Sequence, residues 1–265
     1  MIRSTNAEDY QRIATPVAAM PKDFPAGHHI PPHRHERGQL LYATQGVMRI
    51  GTAQGTWMVP PQRALWIPPQ TEHEIHMSGA VAMRTLYIAP RAARHLPRDC
   101  QVIDVSPLLR ALILAAMEEP VEYPRGSRGE AIAKLLLHEL RAVPALPLHL
   151  PMPQEPRLQK VCQKILHSLG RDADIESLAA GAGLSSRSLA RLFQRETGMG
   201  FAAWRQQARL AEALTQLSGG KPVALVAADL GYASPAAFTA MFRKSLGTTP
   251  SRYFGTARNS GGISA

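Results

Sequence analysis

Towards its C-terminus the chain carries one small device written twice. LAAGAGLSSRSLARLFQRETG (Leu178–Gly198) and VAADLGYASPAAFTAMFRKSLG (Val226–Gly247) overlay at a shift of about 48 residues. In each, an alanine (Ala179, Ala227) stands four residues before a glycine (Gly183, Gly231), after apolar residues at helical spacing: Ile175 and Leu178, Val223 and Val226. A helix-turn-helix needs a small residue where its helices meet and a turn residue that tolerates positive φ. Each second helix has a serine N-cap, Ser185 or Ser186 in the first copy and Ser234 ahead of Pro235 in the second. Each also has an inward stripe, Leu189, Leu192 and Phe193 against Phe238, Met241 and Phe242. Gly198 and Gly247 stand where helix-ending glycines belong. The second copy holds one extra residue between its turn glycine and its phenylalanine pair.

Between the copies, FAAWRQQARLAEALTQLSGG predicts a connecting helix. Phe201, Trp204, Ala208, Ala211 and Leu214 line one face of it; Arg205, Gln206, Arg209 and Glu212 line another. Seventeen helical residues span about 26 Å, against about 34 Å between successive major-groove faces of B-DNA. With the width of each unit added, such a connector sets two recognition helices near that separation. Charge agrees: of a formal net charge of +10, most falls from Gln154 onward, where 14 Lys and Arg stand against 7 Asp and Glu. A basic bias concentrated on one region favours a polyanionic partner, here double-stranded DNA.

Upstream the pattern changes. From about Ala14 to Pro90, short β-prone runs (QLLYAT, GVMRIG, TWMVP, RALWIP, HEIHM, MRTLYIA) alternate with Pro and Gly, which predicts an all-β sandwich or barrel. PLLRALILAAMEE and RGEAIAKLLLHELRAV then carry leucines at helical spacing and predict two helices, suited either to a dimer interface or to burying Leu112, Leu135 and Leu136 against the β region. A Pro-rich linker, Val143–Pro156, follows. The expected domains are therefore 1–95, 96–156 and 157–258. Cys100 and Cys162 lie far apart without metal-like spacing, and no apolar run reaches membrane-span length. MIRSTNAEDY lacks an apolar signal core, so a cytosolic location without a membrane partner is expected.

The order of helices, the paired glycines, the connector and the closing TTPSRYF resemble the AraC/XylS family of transcriptional regulators over roughly Arg157 to Phe254. The resemblance implies that Arg187, Ala190 and Arg191 face base edges, with Ser186 and Arg195 flanking them. The matching face of the second unit is Ala236, Thr239 and Ala240, which lacks a long donor. There Ser234 at the helix start, Arg243 and Lys244 are expected to hold phosphate.

The N-terminal region holds GHHIPPHRHERGQLLYATQG (Gly27–Gly46) and PPQTEH (Pro68–His73), similar to the two-motif signature of the cupin jelly-roll barrel. His33, His35 and Gln39 differ by even steps, which in a strand would share one face. The resemblance puts His33, His35 and His73 at metal-ligand positions. Gln39 replaces the glutamate of metal-binding cupins, Gln70 replaces a glycine and Met77 an asparagine. Three readings follow for the histidines: effector-lining groups with Gln39, Arg63 and Trp66 around the pocket, a divalent-metal site without the carboxylate, or satisfied structural residues. The fold class expected is an all-β cupin-like domain, a helical segment and an all-α tandem helix-turn-helix. The function expected is a sequence-specific, non-enzymatic regulator whose barrel senses a small-molecule effector without a required cofactor. It is expected to be a homodimer, and to meet RNA polymerase if it activates. A cupin metalloenzyme fused to a DNA-binding domain is the alternative.

Overall fold

The structure is a computed structural model and describes residues 4–141, 145–146, 148–170 and 174–259. The chain divides into two compact units: 1–53 with 57–147, and 54–56 with 148–265. The first is an antiparallel β-domain backed by two helices; the second is helical.

The strands are β1 (Val17–Phe24), β2 (His29–His33), β3 (Gly38–Thr52), β4 (Gly55–Val59), β5 (Arg63–Ile67), β6 (His73–Ile88), β7 (Gln101–Asp104), β8 (Ala145–Leu146) and β9 (His149–Pro151). The first unit's sheet runs β1-β6-β3-β5-β7-β8, with β2 also on β6. QLLYAT and GVMRIG, read as two runs, form the single long β3, and HEIHM and MRTLYIA form the single long β6. Each bends instead of breaking. The β3–β6 register shifts between Ala43 and Val47, where Gly46 has φ +79° and a Cβ would stand 2.4 Å from the Ala80 carbonyl oxygen.

The sheet also extends past residue 95, because β7 pairs with β5 through Leu65↔Val102 and its neighbours. Helices α1 (Pro107–Ala116) and α2 (Arg128–Arg141) follow. Ser106 caps α1 by accepting from the Leu109 backbone N–H at 3.0 Å, ahead of Pro107. Leu109, Leu112, Ile113 and Leu136 join Leu40, Tyr42, Trp66 and Leu86 in one core between sheet and helices. Leu112 and Leu136 are thus internal, as one of the two expectations had it, whereas Leu135 is 50% and Leu108 54% exposed. The stretch expected as a Pro-rich linker, poorly suited to helix or strand, contains β8 and β9; 143–144 and 147 lie outside the described residues.

The second unit holds α3 (Pro156–Leu166), α4 (Ile175–Gly181), α5 (Ser186–Thr197), α6 (Phe201–Ser218), α7 (Val223–Asp229), α8 (Pro235–Leu246) and α9 (Pro250–Asn259). Helices α4–α5 and α7–α8 are the two repeated devices, and α6 is the connector. Asp174 caps α4 by accepting from the Glu176 and Ser177 N–H groups, each at 3.1 Å. Trp204, Ala208, Ala213 and Leu214 of α6 are fully buried, and Phe193 of α5 meets Trp204 edge-on at 5.8 Å between centroids. The polar face of α6 is engaged as well. Gln206 donates to the Tyr232 hydroxyl at 3.0 Å, Arg209 donates to the Leu169 carbonyl at 3.1 Å, and the Arg209 guanidinium lies over the Tyr232 ring. The connector is therefore gripped on both faces, which is what a rigid spacer requires.

Candidate functional site

Both turns are built alike. Ala179 and Ala227 are each 1% exposed, and Gly183 and Gly231 take φ +66° and +72°. The next residue closes each turn: the Leu184 N–H donates to the Ala179 carbonyl and the Tyr232 N–H to the Ala227 carbonyl, both at 2.9 Å. Only then do the copies diverge. Ser185 follows Leu184 at once and caps α5 through the Ser188 N–H, whereas Ala233 intervenes before Ser234 caps α8 through the Ala237 N–H. The extra residue is thus Ala233, in the turn, and the N-cap of α5 is Ser185, not Ser186.

From each cap onward the helices run in register. Leu189, Leu192 and Phe193 occupy the positions of Phe238, Met241 and Phe242, and both helices end on a left-handed glycine, Gly198 at φ +70° and Gly247 at φ +79°. The outer face of α5 presents Arg187, Ala190, Arg191 and Arg195, all exposed, beside half-buried Ser186. Arg195 is partly committed: its guanidinium pairs with Glu196 at 3.0 Å. The outer face of α8 presents Ala236 and Ala240, exposed, and Thr239, half-buried, with Arg243 and Lys244 at its exposed C-terminal end. These α8 residues line an open concavity with Pro235 and Thr249. The first face presents guanidinium forks; the second presents methyl groups and two terminal cations.

The β-domain contains a cavity of about 560 Å³. His33, His35 and Gln39 do not reach it along one strand, as the even spacing suggested. His33 ends β2, where the β2–β6 register shifts after Ile30, His35 lies in the loop that follows, and Gln39 opens β3. The bulge turns His33 inwards to meet His73, the first residue of β6, with centroids 4.3 Å apart; His35 lies 4.9 Å from His33 and 5.5 Å from His73. Gln70, in the glycine position of the second motif, takes φ +62°, a strain of about 1–3 kcal/mol. Its N–H donates to the His35 carbonyl at 2.8 Å, so the strained turn holds the loop that carries His35.

Backbone carbonyls orient two of the imidazoles: His33 Nδ1 donates to the Pro31 carbonyl at 2.8 Å and His73 Nδ1 to the Thr71 carbonyl at 2.9 Å, which in neutral His73 leaves Nε2 as a bare acceptor. Both nitrogens of His35, the Oε1 of Gln39 and the Nε2 of His73 are buried without a hydrogen-bond partner among the described residues. Leaving such an atom unpaired costs about 1–3 kcal/mol. Burial, with the charges of His33 and His73, pushes His35 down to about 3. Burial pushes His73 down to about 4, with the Thr71 hydrogen bond opposing and His33 assisting. Both are neutral at pH 7.

Sequence reasoning missed part of this lining. Tyr87 lies directly opposite Gln39 in the ladder, its hydroxyl 3.5 Å from the Gln39 amide nitrogen, and Met20, Phe24, Ile75 and Met83 supply apolar walls. Tyr87 was findable only through the β3–β6 register. Two expected residues sit elsewhere. Trp66 pairs with Leu40 on the helix-covered face, where its indole N–H donates to the Pro97 carbonyl at 2.8 Å. Arg63 pairs with Asp104 of β7. Alternation along β5 and β3 sends Trp66 away from Gln39; Arg63 shares the face of Ile67, the partner of Gln39, but stands at the far end of β5 and is held by β7.

A profile described as an AraC-like ligand binding domain matches residues 23–193, and a helix-turn-helix domain profile matches 178–256. The HTH-type transcriptional regulator NimR of Escherichia coli is 36% identical over 223 residues, covering 84% of this chain and 81% of its own. The chain belongs to the AraC family. It is a DNA-binding transcriptional regulator with an N-terminal ligand-binding domain. The arabinose operon regulatory protein of E. coli is 31% identical over 132 residues, covering 48% of this chain and 45% of its own. The C-terminal domain of AraT, a response regulator from Geobacillus stearothermophilus, is 27% identical over 38% of this chain and 86% of its own, with a TM-score of 0.36. NimR and the arabinose operon protein are regulators, and the fused metalloenzyme is not favoured. Among the described residues, no helix is long and apolar enough to cross a membrane.

Proposed function

We propose that this AraC-family regulator reads its operator mainly through α5 and anchors through α8. Arg191 donates to a guanine, with Arg187 and Ala190 beside it and Ser186 and Arg195 at the flanks. In the second unit Ser234 and the helix start, Arg243 and Lys244 hold phosphate, while Ala236, Thr239 and Ala240 contact thymine methyl groups. The observation that carries this reading is the contrast between two faces at equivalent distances from their caps, one with exposed guanidinium groups and the other with small side chains.

The cavity takes the effector. His35 and His73 are neutral and offer hydrogen bonds rather than charge, and Lys22 on the wall donates to the Thr5 carbonyl at 3.0 Å. A small molecule with an apolar body against Met20, Phe24 and Met83 and a hydrogen-bonding head against His35 and Gln39 fits these walls. The convergence of three imidazoles favours one further reading, a divalent cation held by His33, His35 and His73. The donor set fits: three nitrogens suffice for zinc or nickel, and such an ion would supply a Lewis-acidic coordination point for the effector's polar head. The effector shifts regulation by binding two arrangements of the protein with different affinity. The exposed Leu108 and Leu135 on the paired helices support a homodimer, working in the cytoplasm and meeting RNA polymerase if it activates.

Selection of bound duplexes from a random pool, with and without candidate effectors, tests this reading. A recovered consensus that loses one guanine with Arg191→Ala supports it. Equal affinity for all sequences at fixed salt would overturn it.

A further inference from the structure

A second histidine cluster occupies the other face of β6. Along that strand His73, Ile75 and Met77 are buried, and Glu74 and His76 alternate with them at the surface. His29 of β2 stands directly opposite His76 in the ladder, so their side chains share a face; the rings stack 4.0 Å apart at 8°. Glu74 lies on that face two residues before His76. Both imidazoles turn Nε2 to the same carboxylate oxygen, His29 at 3.0 Å and His76 at 3.5 Å. One ligand atom from each of the three lies within 4.8 Å of the other two.

Ligand atoms around a tetrahedral zinc with bonds of 2.0–2.1 Å stand about 3.3 Å apart. The two measured spacings bracket that edge length. The strand on the far side leaves room, because the partner of Glu74 in β3 is Gly51, where a Cβ would stand 2.8 Å from the Glu74 Oε1. Two imidazoles and a carboxylate suit zinc or nickel rather than magnesium or calcium. Without an ion the three groups satisfy one another by hydrogen bonds. With one, the parallel rings must rotate so that their lone pairs converge, which side-chain exposures of 42% and 35% permit. Arg49, paired with His76 across β3 and β6, opposes a cation and moderates its affinity.

We propose that His29, Glu74 and His76 form a divalent transition-metal site of the zinc class on the face of β6 opposite His73, distinct from the inner imidazole cluster although His29 also lines the cavity. Solvent completes the coordination. The ion staples β2 to β6, and because β2 also carries Ile30 and His33 to the cavity, it stiffens one cavity wall.

Zinc titration of the untagged, metal-stripped full chain against a chromogenic chelator tests the site, with circular dichroism to verify folding. All variants carry His33→Ala, a half-buried change that breaks the inner cluster. In that background one equivalent of zinc should remain, weakened at least tenfold by His29→Ala, His76→Ala or Glu74→Gln. Zinc should also raise the melting temperature of the His33→Ala protein and fail to raise that of His33→Ala with His29→Ala. Absence of zinc binding in the His33→Ala protein, or binding indifferent to all three outer changes, would overturn the proposal.

Discussion

The two helix-turn-helix units differ where it matters for recognition and agree where it matters for packing. Up to the turn glycine they overlay at a shift of 48 residues, and from the helix cap at 49, the difference being Ala233. After the caps, core positions match core positions and both helices close on a left-handed glycine. The outer faces do not match: α5 carries Arg187 and Arg191 where α8 carries Ala236 and Ala240. Packing tolerates few solutions, because the two helices of each unit must approach across an alanine. A solvent-facing position tolerates almost any side chain, so specificity can be written on one copy and left off the other.

The largest expected difference lies between the turns. A Cβ on Gly231 would stand 2.3 Å from the Gly170 carbonyl oxygen, while Gly183 has open space. Gly231→Ala should therefore cost more than about 3 kcal/mol, combining φ strain with overpacking. Gly183→Ala should cost about 1 kcal/mol, φ strain alone. Chemical denaturation followed by circular dichroism measures both, and equal losses would break the asymmetry. Next comes reading. Arg191→Ala should cost about 1–3 kcal/mol at one operator base pair, and Thr239→Ala less than about 1 kcal/mol. Competition binding with single-base operator variants decides; a uniform loss for Arg191→Ala would move it to phosphate.

The caps should show the opposite behaviour, since both serine hydroxyls accept from an N–H three residues on at 3.2 Å. Ser185→Ala and Ser234→Ala should each cost about 1 kcal/mol in the same denaturation assay, to within a few tenths. The smallest effect belongs to Arg243→Ala, expected to reduce the logarithmic salt slope of binding by about 1 while leaving base preference unchanged. A shifted consensus would show that α8 reads bases.

Much of this was legible in the chain. The helical unit is built from local signals, and caps, turn glycines and apolar stripes each act over a few residues, so α4 to α8 were found as elements and α5 and α8 with their closing glycines. The β-domain was legible as a class but not in detail. Six short runs proved to be four strands, because a bulge at Gly46 bends β3 without ending it. Of the cavity residues, His33, His35 and Gln39 were named, and His73 packs against the first two, though a bulge and a loop rather than strand alternation bring them together. Trp66 was misplaced because its face depends on pairing with β3, and Arg63 because it stands at the far end of β5, paired with Asp104 of β7. The His29–Glu74–His76 cluster carried no local pattern, since it joins residues 45 positions apart across a ladder.

The sequence by itself determined the tandem units, the difference between their outer faces and the presence of a histidine-rich motif, because periodicity, capping and turn chemistry are short-range. Only the tertiary structure decided which histidines meet, which polar atoms are left unpaired inside the cavity and which of α6's polar residues are engaged. Strand register and bulges set those outcomes, and a shift of one residue sends every side chain to the opposite face.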